Sequence, residues 1–73
     1  MARATLEAPD ISCDHCIQSI QKAVQKLPGV QFVAGDPEAK RVTVEYDPAQ
    51  TPLSAVEAAM EEEGYPVSSA TPS

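Results

Sequence analysis

The sequence predicts an α+β fold: a four-stranded antiparallel sheet with two helices on one face, in the order β-α-β-β-α-β. Three observations lead there. Two stretches place apolar residues at helical spacing, and each ends at a glycine. One stretch between them alternates apolar and polar residues, as a half-buried strand does. Short strand-like runs before, between and after the helices complete the order. Seventy-three residues make one domain and no more. A chain this short buries only about 60% of its unfolded surface, so a single small core is expected and no large enclosed pocket.

Taken in order, Arg3 to Ala8 alternates ahead of Pro9 and suits a first strand with Leu6 inward. Asp10 to Cys13 reads as loop, with Ser12 or Asp10 placed to cap the next helix through a side-chain oxygen. From Asp14 onward, Ile17, Ile20, Ala23, Val24 and Leu27 form one helical face. Pro28-Gly29 stops that helix, and Lys22 and Lys26 lie toward its C-terminal end, where the dipole favours cations. Val30 to Ala34 is strand-like, with Phe32 and Val33 on opposite faces. Gly35 and Pro37 are expected to end that strand early. Arg41 to Asp47 is the clearest strand: Val42, Val44 and Tyr46 face one way, Thr43 and Glu45 the other. Thr51-Pro52 starts the second helix, with threonine as N-cap and proline at the first helical position. Leu53, Val56, Ala59 and Met60 make its apolar face, and Gly64 ends it. Tyr65 to Val67 is expected to form the last strand and Ser68 to Ser73 a frayed polar tail. The ordered core of a single domain 1–73 then runs over about 3–68. Two right-handed crossovers put both helices on one face, a ferredoxin-like sandwich. The cysteine loop and the Gly64-Tyr65 turn then fall at one end of it.

Charge narrows the function. Five Lys plus Arg against eleven Asp plus Glu leave a net charge of −6. Such a field repels phosphate backbones and anionic lipids, so no nucleic-acid or membrane-surface role is expected; a basic partner or a cation fits better. Phe32, Tyr46 and Tyr65 are too few aromatics for a platform on which bases stack. No run approaches the roughly 18 to 20 apolar residues of a membrane span. The segment Met1 to Glu7 carries an early acid and no apolar signal core. A cytoplasmic protein without membrane insertion is expected. Met1 and the short tail favour a free protein, although an excised domain would look the same.

The cysteine inventory is Cys13 and Cys16, spaced C-x-x-C. A disulfide between residues so near closes too small a loop to stabilise much, so the pair is chemical rather than architectural. It reads as a metal clamp or as a dithiol redox centre. A closed structural zinc site wants four ligands, and only His15 and some carboxylates stand near enough in sequence to join the thiols.

The run Ile11-Ser12-Cys13-Asp14-His15-Cys16 is followed by Leu27-Pro28-Gly29-Val30, then by Val42, Val44 and Tyr46-Asp47-Pro48, and finally by Glu63-Gly64-Tyr65. Together these resemble the heavy-metal-associated domain, found as soluble copper chaperones and as N-terminal metal-binding domains of copper-transporting P-type ATPases. The resemblance spans about Thr5 to Val67. Asp10 departs from its pattern where glycine is usual, adding charge and restricting the loop. Ile11 stands where methionine is usual and is expected to fill the same space beneath the loop. The resemblance implies that Cys13 and Cys16 bind Cu(I) and hand it to the metal-binding domain of a copper-transporting P-type ATPase. It implies no enzyme activity, and a monomer or a metal-bridged homodimer.

The chemistry agrees with that implication. Cu(I) is soft and well served by two thiolates, which select it against hard cations. A helix N-terminus lowers the pKa of a thiol there and stabilises a thiolate. Two ligands on an exposed loop leave the ion open to an incoming thiol. His15 is read as a solvated side chain that modulates the site rather than a ligand. Tyr65 divides evenly between a core role and shielding of the metal loop. Asp10 and Asp14 are read as caps or solvated acids. Glu38 is assigned to a turn at the end of the sheet away from the cysteines. A thioredoxin-like dithiol oxidoreductase is the alternative, although that fold wants about 100 residues and a Trp beside the pair. A chaperone for Hg, Zn or Cd is another, and Ser12, where zinc-selective relatives place an acid, tilts the choice to copper.

Overall fold

Alternation along the chain builds a sheet with one apolar face, and the helices close over that face. The computed structural model describes residues 2–72, in the order β1 (Ala2–Glu7), α1 (Asp14–Gln25), β2 (Val30–Asp36), β3 (Arg41–Tyr46), α2 (Leu53–Glu62) and β4 (Ser69–Pro72). The sheet is antiparallel throughout, with strand order β2-β3-β1-β4. Ala4 and Leu6 of β1 and Val42, Val44 and Tyr46 of β3 turn inward. Ile17, Ile20 and Val24 of α1 and Val56 and Met60 of α2 join the same buried cluster. Both helices therefore cover one face, and the ferredoxin-like prediction holds.

The open face sets the register of the central pair. Leu6 lies opposite Val42 and Ala4 opposite Val44, while Arg3 faces Glu45 and Glu7 faces Arg41. Both charged pairs make ion pairs, at 3.0 Å and 3.2 Å. Exposed pairs of this kind stabilise by at most about 1 kcal/mol. Their larger effect is on pairing, since a one-residue slip would break both and turn Leu6 to solvent.

Four local expectations fail, each for a tertiary reason. The last strand is not Tyr65–Val67. The amides of Gly64 and Tyr65 bond back to Glu61 and Met60, which keeps that segment on the helix end. The Ser68 amide then donates to Glu7 at 2.8 Å, and β4 pairs with β1 from Glu7–Ser69 to Ala4–Pro72. Most of the expected tail is thus strand, and Ser73 lies outside the described residues. Nor does β2 end early. A bulge at Val33 shifts the register between Phe32 and Ala34, and pairing continues to Asp36 opposite Arg41. Gly35 permits this, because a Cβ there would sit 2.5 Å from Ile17 Cγ2 and 3.1 Å from Phe32 Cζ.

The two predicted N-caps fail as well. Cys13 occupies the N-cap of α1 without a side-chain cap, and Pro52 that of α2. Buried Thr51 instead donates its hydroxyl to the Pro28 carbonyl at 2.5 Å, which ties the start of α2 to the end of α1. Gly29 takes the turn between α1 and β2 at φ +72°.

Candidate metal centre

The loop from β1 to α1 carries both cysteines and is built from the core outward. The Ile11 amide donates to the Ala8 carbonyl at 3.1 Å, turning the chain at Pro9-Asp10. Ile11 is fully buried and fills the space beneath the loop, as expected. Cys13 follows in extended backbone, and its carbonyl accepts from the amides of Cys16 (3.1 Å) and Ile17 (3.4 Å). These bonds open the helix so that both sulfurs come together, with Cys13 Sγ 3.7 Å from Cys16 Sγ. Both thiols are free. Cys13 is exposed, whereas Cys16 is only 9% exposed.

That asymmetry is also electronic. The Cys16 thiol is lowered from 9.0 to about 6, first by the Tyr65 hydroxyl and then by the Ser12 backbone amide, with the Ser12 hydroxyl and Cys13 helping and burial opposing. The Ser12 hydroxyl stands 3.8 Å from Cys16 Sγ, which is where the expected cap has gone. Tyr65 is pushed up in turn, chiefly by the same Cys16 contact and by burial. Tyr65 therefore meets the site, and the Gly64-Tyr65 turn lies at the cysteine end as predicted. It is also half-buried against the core, which bears out the core reading of this residue.

His15 is exposed on the first turn of α1. Among the described residues, no group of three or more His, Cys, Asp and Glu side chains converges as a metal-ion cage. Asp10 and Asp14 are exposed and cap nothing by side chain. The placement of Glu38 needs correction. The turn between β2 and β3 lies beside the cysteine loop, because Ala8 N–H donates to the Lys40 carbonyl at 3.0 Å and Lys40 Nζ to the Ile11 carbonyl at 2.6 Å. The antiparallel hairpin returns the chain to the end of β1, so Glu38 stands at the site end. Lys40 was missed by sequence reasoning, since the contact spans 29 residues and a lysine in a turn carries no local signal. It adopts φ 59°, a left-handed conformation that costs a non-glycine residue roughly 1 to 2 kcal/mol.

The Tyr65 contact has a measurable consequence. Tyr65→Phe is expected to raise the Cys16 pKa from about 6 toward its usual 9.0 in the reduced, metal-free protein, followed by thiolate absorbance against pH. A lowered folded-state value means that the unfolded chain binds the extra proton between those values. The stabilisation is therefore complete above pH 9 and is lost as the pH falls through about 6. Tyr65→Phe should flatten the rise of stability across that window. Identical titrations in the two proteins would show that the hydroxyl leaves Cys16 unaffected.

Fold and site together define a ferredoxin-like domain with a paired-thiol loop at the N-terminus of its first helix. Comparison with known proteins gives that class a family. The chain belongs to the heavy-metal-associated domain family, which matches residues 5–66. It is similar to the copper chaperone CopZ of Bacillus subtilis, 33% identical over 67 residues, covering 92% of this chain and 97% of that protein. A COP-associated protein of Helicobacter pylori is 41% identical over 49 residues, covering 67% of this chain and 74% of that protein. Among solved structures, the N-terminal domain of a potential copper-translocating P-type ATPase from Bacillus subtilis, in the Cu(I)-loaded state, has a TM-score of 0.79 at 27% identity. That match covers 90% of this chain and 82% of the other. Neither the antiparallel architecture nor the family is that of a thioredoxin-like oxidoreductase.

Proposed function

We propose that this chain is a non-enzymatic Cu(I) chaperone of the cytoplasm. It holds the ion between Cys13 and Cys16 and passes it to the metal-binding domain of a copper-transporting P-type ATPase. The observation that carries this reading is the pair of sulfurs 3.7 Å apart, one exposed and one buried with a lowered pKa. Thiolate donors favour a soft monovalent ion, and zinc would want more ligands than converge here. The similarity to CopZ and to a Cu(I)-loaded ATPase domain supports copper as the cargo.

Transfer follows from the openness of the loop. Metal–thiolate bonds near 2.3 Å, the zinc value, would be bent at this sulfur separation, so near-linear binding needs the sulfurs to part by about one ångström. Cys13, on the exposed side, supplies that movement. An incoming thiolate adds to the ion to make a three-sulfur intermediate, and one original thiolate then leaves. The ion stays monovalent throughout, so no electron donor is required.

Charge directs the encounter. The chain carries −6, and Asp10 and Asp14 are exposed beside the loop. Asp14→Lys is expected to slow transfer to a basic acceptor domain about two- to fivefold at low salt, since complementary charge chiefly accelerates association. Wild-type transfer should also slow as salt rises, because the Debye length at 0.1 M is only about 10 Å. Glu38 stands at the site end and cannot serve as the remote control. Glu57 serves instead, since it lies in the first half of α2, the helix whose start is tied to Pro28. Stopped-flow transfer at two ionic strengths is the measurement. Rates independent of salt, or equal losses from Asp14→Lys and Glu57→Lys, would mean that the acidity does not guide docking.

A further inference from the structure

The basic side chains of this acidic domain are not equivalent. Arg3 and Arg41 pair with carboxylates across the sheet, and Lys22 and Lys26 line an open groove on α1 with Glu63. Lys40 does something different. Its side chain leaves the hairpin turn and donates to the Ile11 carbonyl at 2.6 Å, while its own carbonyl accepts from Ala8 at 3.0 Å. One residue thus grips the cysteine loop at both ends of its turn, and it does so from a left-handed conformation at φ 59° that disfavours lysine. Ile11 cannot yield downward, because its side chain is fully buried. The carbonyl that Lys40 holds belongs to the second residue before Cys13.

We propose that Lys40 is a positioning residue for the cysteine loop: its ammonium, bonded to the Ile11 carbonyl, latches the β2–β3 turn onto the segment that places Cys13 against Cys16. The latch restrains the segment that leads into the exposed cysteine. The Cys16 side is held separately, by its helix. With the backbone leading into Cys13 held, the sulfurs part by side-chain rotation alone and both stay within reach of a bound ion, which slows its escape without adding a ligand. The metal consequence rests on the function proposed above; the latch itself does not.

Three variants separate latch from strain. Lys40→Gly removes the ammonium but relieves the left-handed backbone. Lys40→Met removes the ammonium and keeps the strain. Lys40→Arg restores a donor. Amide exchange in the metal-free protein should quicken about tenfold at Ala8 and Ile11, whose amides bond within the turn that Lys40 grips, in the Gly and Met variants, the effect of losing one charged hydrogen bond. Exchange at Val42 and Val44 should stay unchanged in Lys40→Gly, and its Tm should be no lower than wild type. Lys40→Arg should recover most of the loop protection. Dissociation of Cu(I) to a chelator should be several-fold faster from Lys40→Gly than from wild type. Loop exchange in Lys40→Gly equal to wild type, or quickened only in step with the core strands, overturns the latch. Loop exchange that responds as described, in a wild-type protein that fails to hold Cu(I), establishes the latch and overturns the metal reading instead.

Discussion

Serine at either Cys13 or Cys16 is expected to weaken Cu(I) binding on the order of a thousandfold or more, because a hydroxyl is neither soft nor ionised at neutral pH. The fold should survive both changes. Cys13 is exposed, and Cys16 sits at the margin of the core with a hydroxyl of similar shape replacing its thiol. The contrast is His15→Ala, which should leave the affinity of the monomer within about twofold, since an exposed imidazole outside any converging ligand group adds little. Competition with a Cu(I) chelator under reducing, oxygen-free conditions reads all three variants, with circular dichroism to verify folding. Near-native affinity in both single serine variants would remove the two-thiolate site. A large loss in His15→Ala, with the fold intact, would make that residue a ligand.

The second large effect is expected in the packing behind the cysteine helix. Gly35→Ala adds a Cβ that would lie 2.5 Å from Ile17 Cγ2 and 3.0 Å from its Cδ1, on a helix whose neighbouring residues are packed against the sheet. Overpacking of this kind costs about 1 to 3 kcal/mol. In a domain of this size each 1 kcal/mol lowers Tm by roughly 4 to 8 °C. Ile17→Ala removes both offending atoms, so the double variant Gly35→Ala/Ile17→Ala should be more stable than the sum of the two losses predicts. Thermal and urea unfolding of the four proteins measures this cycle. An unchanged Tm in Gly35→Ala would mean that α1 shifts away from β2 at little cost. Because α1 begins at the cysteines, such a shift would also appear as a changed Cys16 titration.

The glycine shows where sequence reading stops. A lone Gly-x-Pro after a short apolar run signals a chain break when read locally. Here the break is absent, since β3 offers a partner through Asp36, and the missing side chain makes room for Ile17 from another element. The final strand is a similar case. Ser69–Pro72 has little strand propensity and no apolar alternation beyond half-buried Ala70, yet it pairs because β1 presents an open edge beside it. Thr51 has the residue type of an N-cap and spends its hydroxyl on Pro28, a partner 23 residues away. Each of these outcomes depends on what another part of the chain offers.

Pattern along the chain was enough to specify both helices, the strand that starts at Arg41, the inward set Val42, Val44 and Tyr46, and the pairing of Cys13 with Cys16. Periodicity carries the first three, because burial on one face repeats at the period of the element itself. The C-x-x-C spacing carries the fourth, because one helical turn brings both residues to one place. The tertiary structure alone decided that Cys13 is exposed and Cys16 buried, and that Tyr65 and Ser12 lower the Cys16 pKa. It alone placed the Lys40 turn against the cysteine loop. The Tyr65 and Lys40 contacts join segments distant along the chain and are made by side chains of ordinary type. Their energies arise only once the shared core has brought the segments within hydrogen-bonding distance.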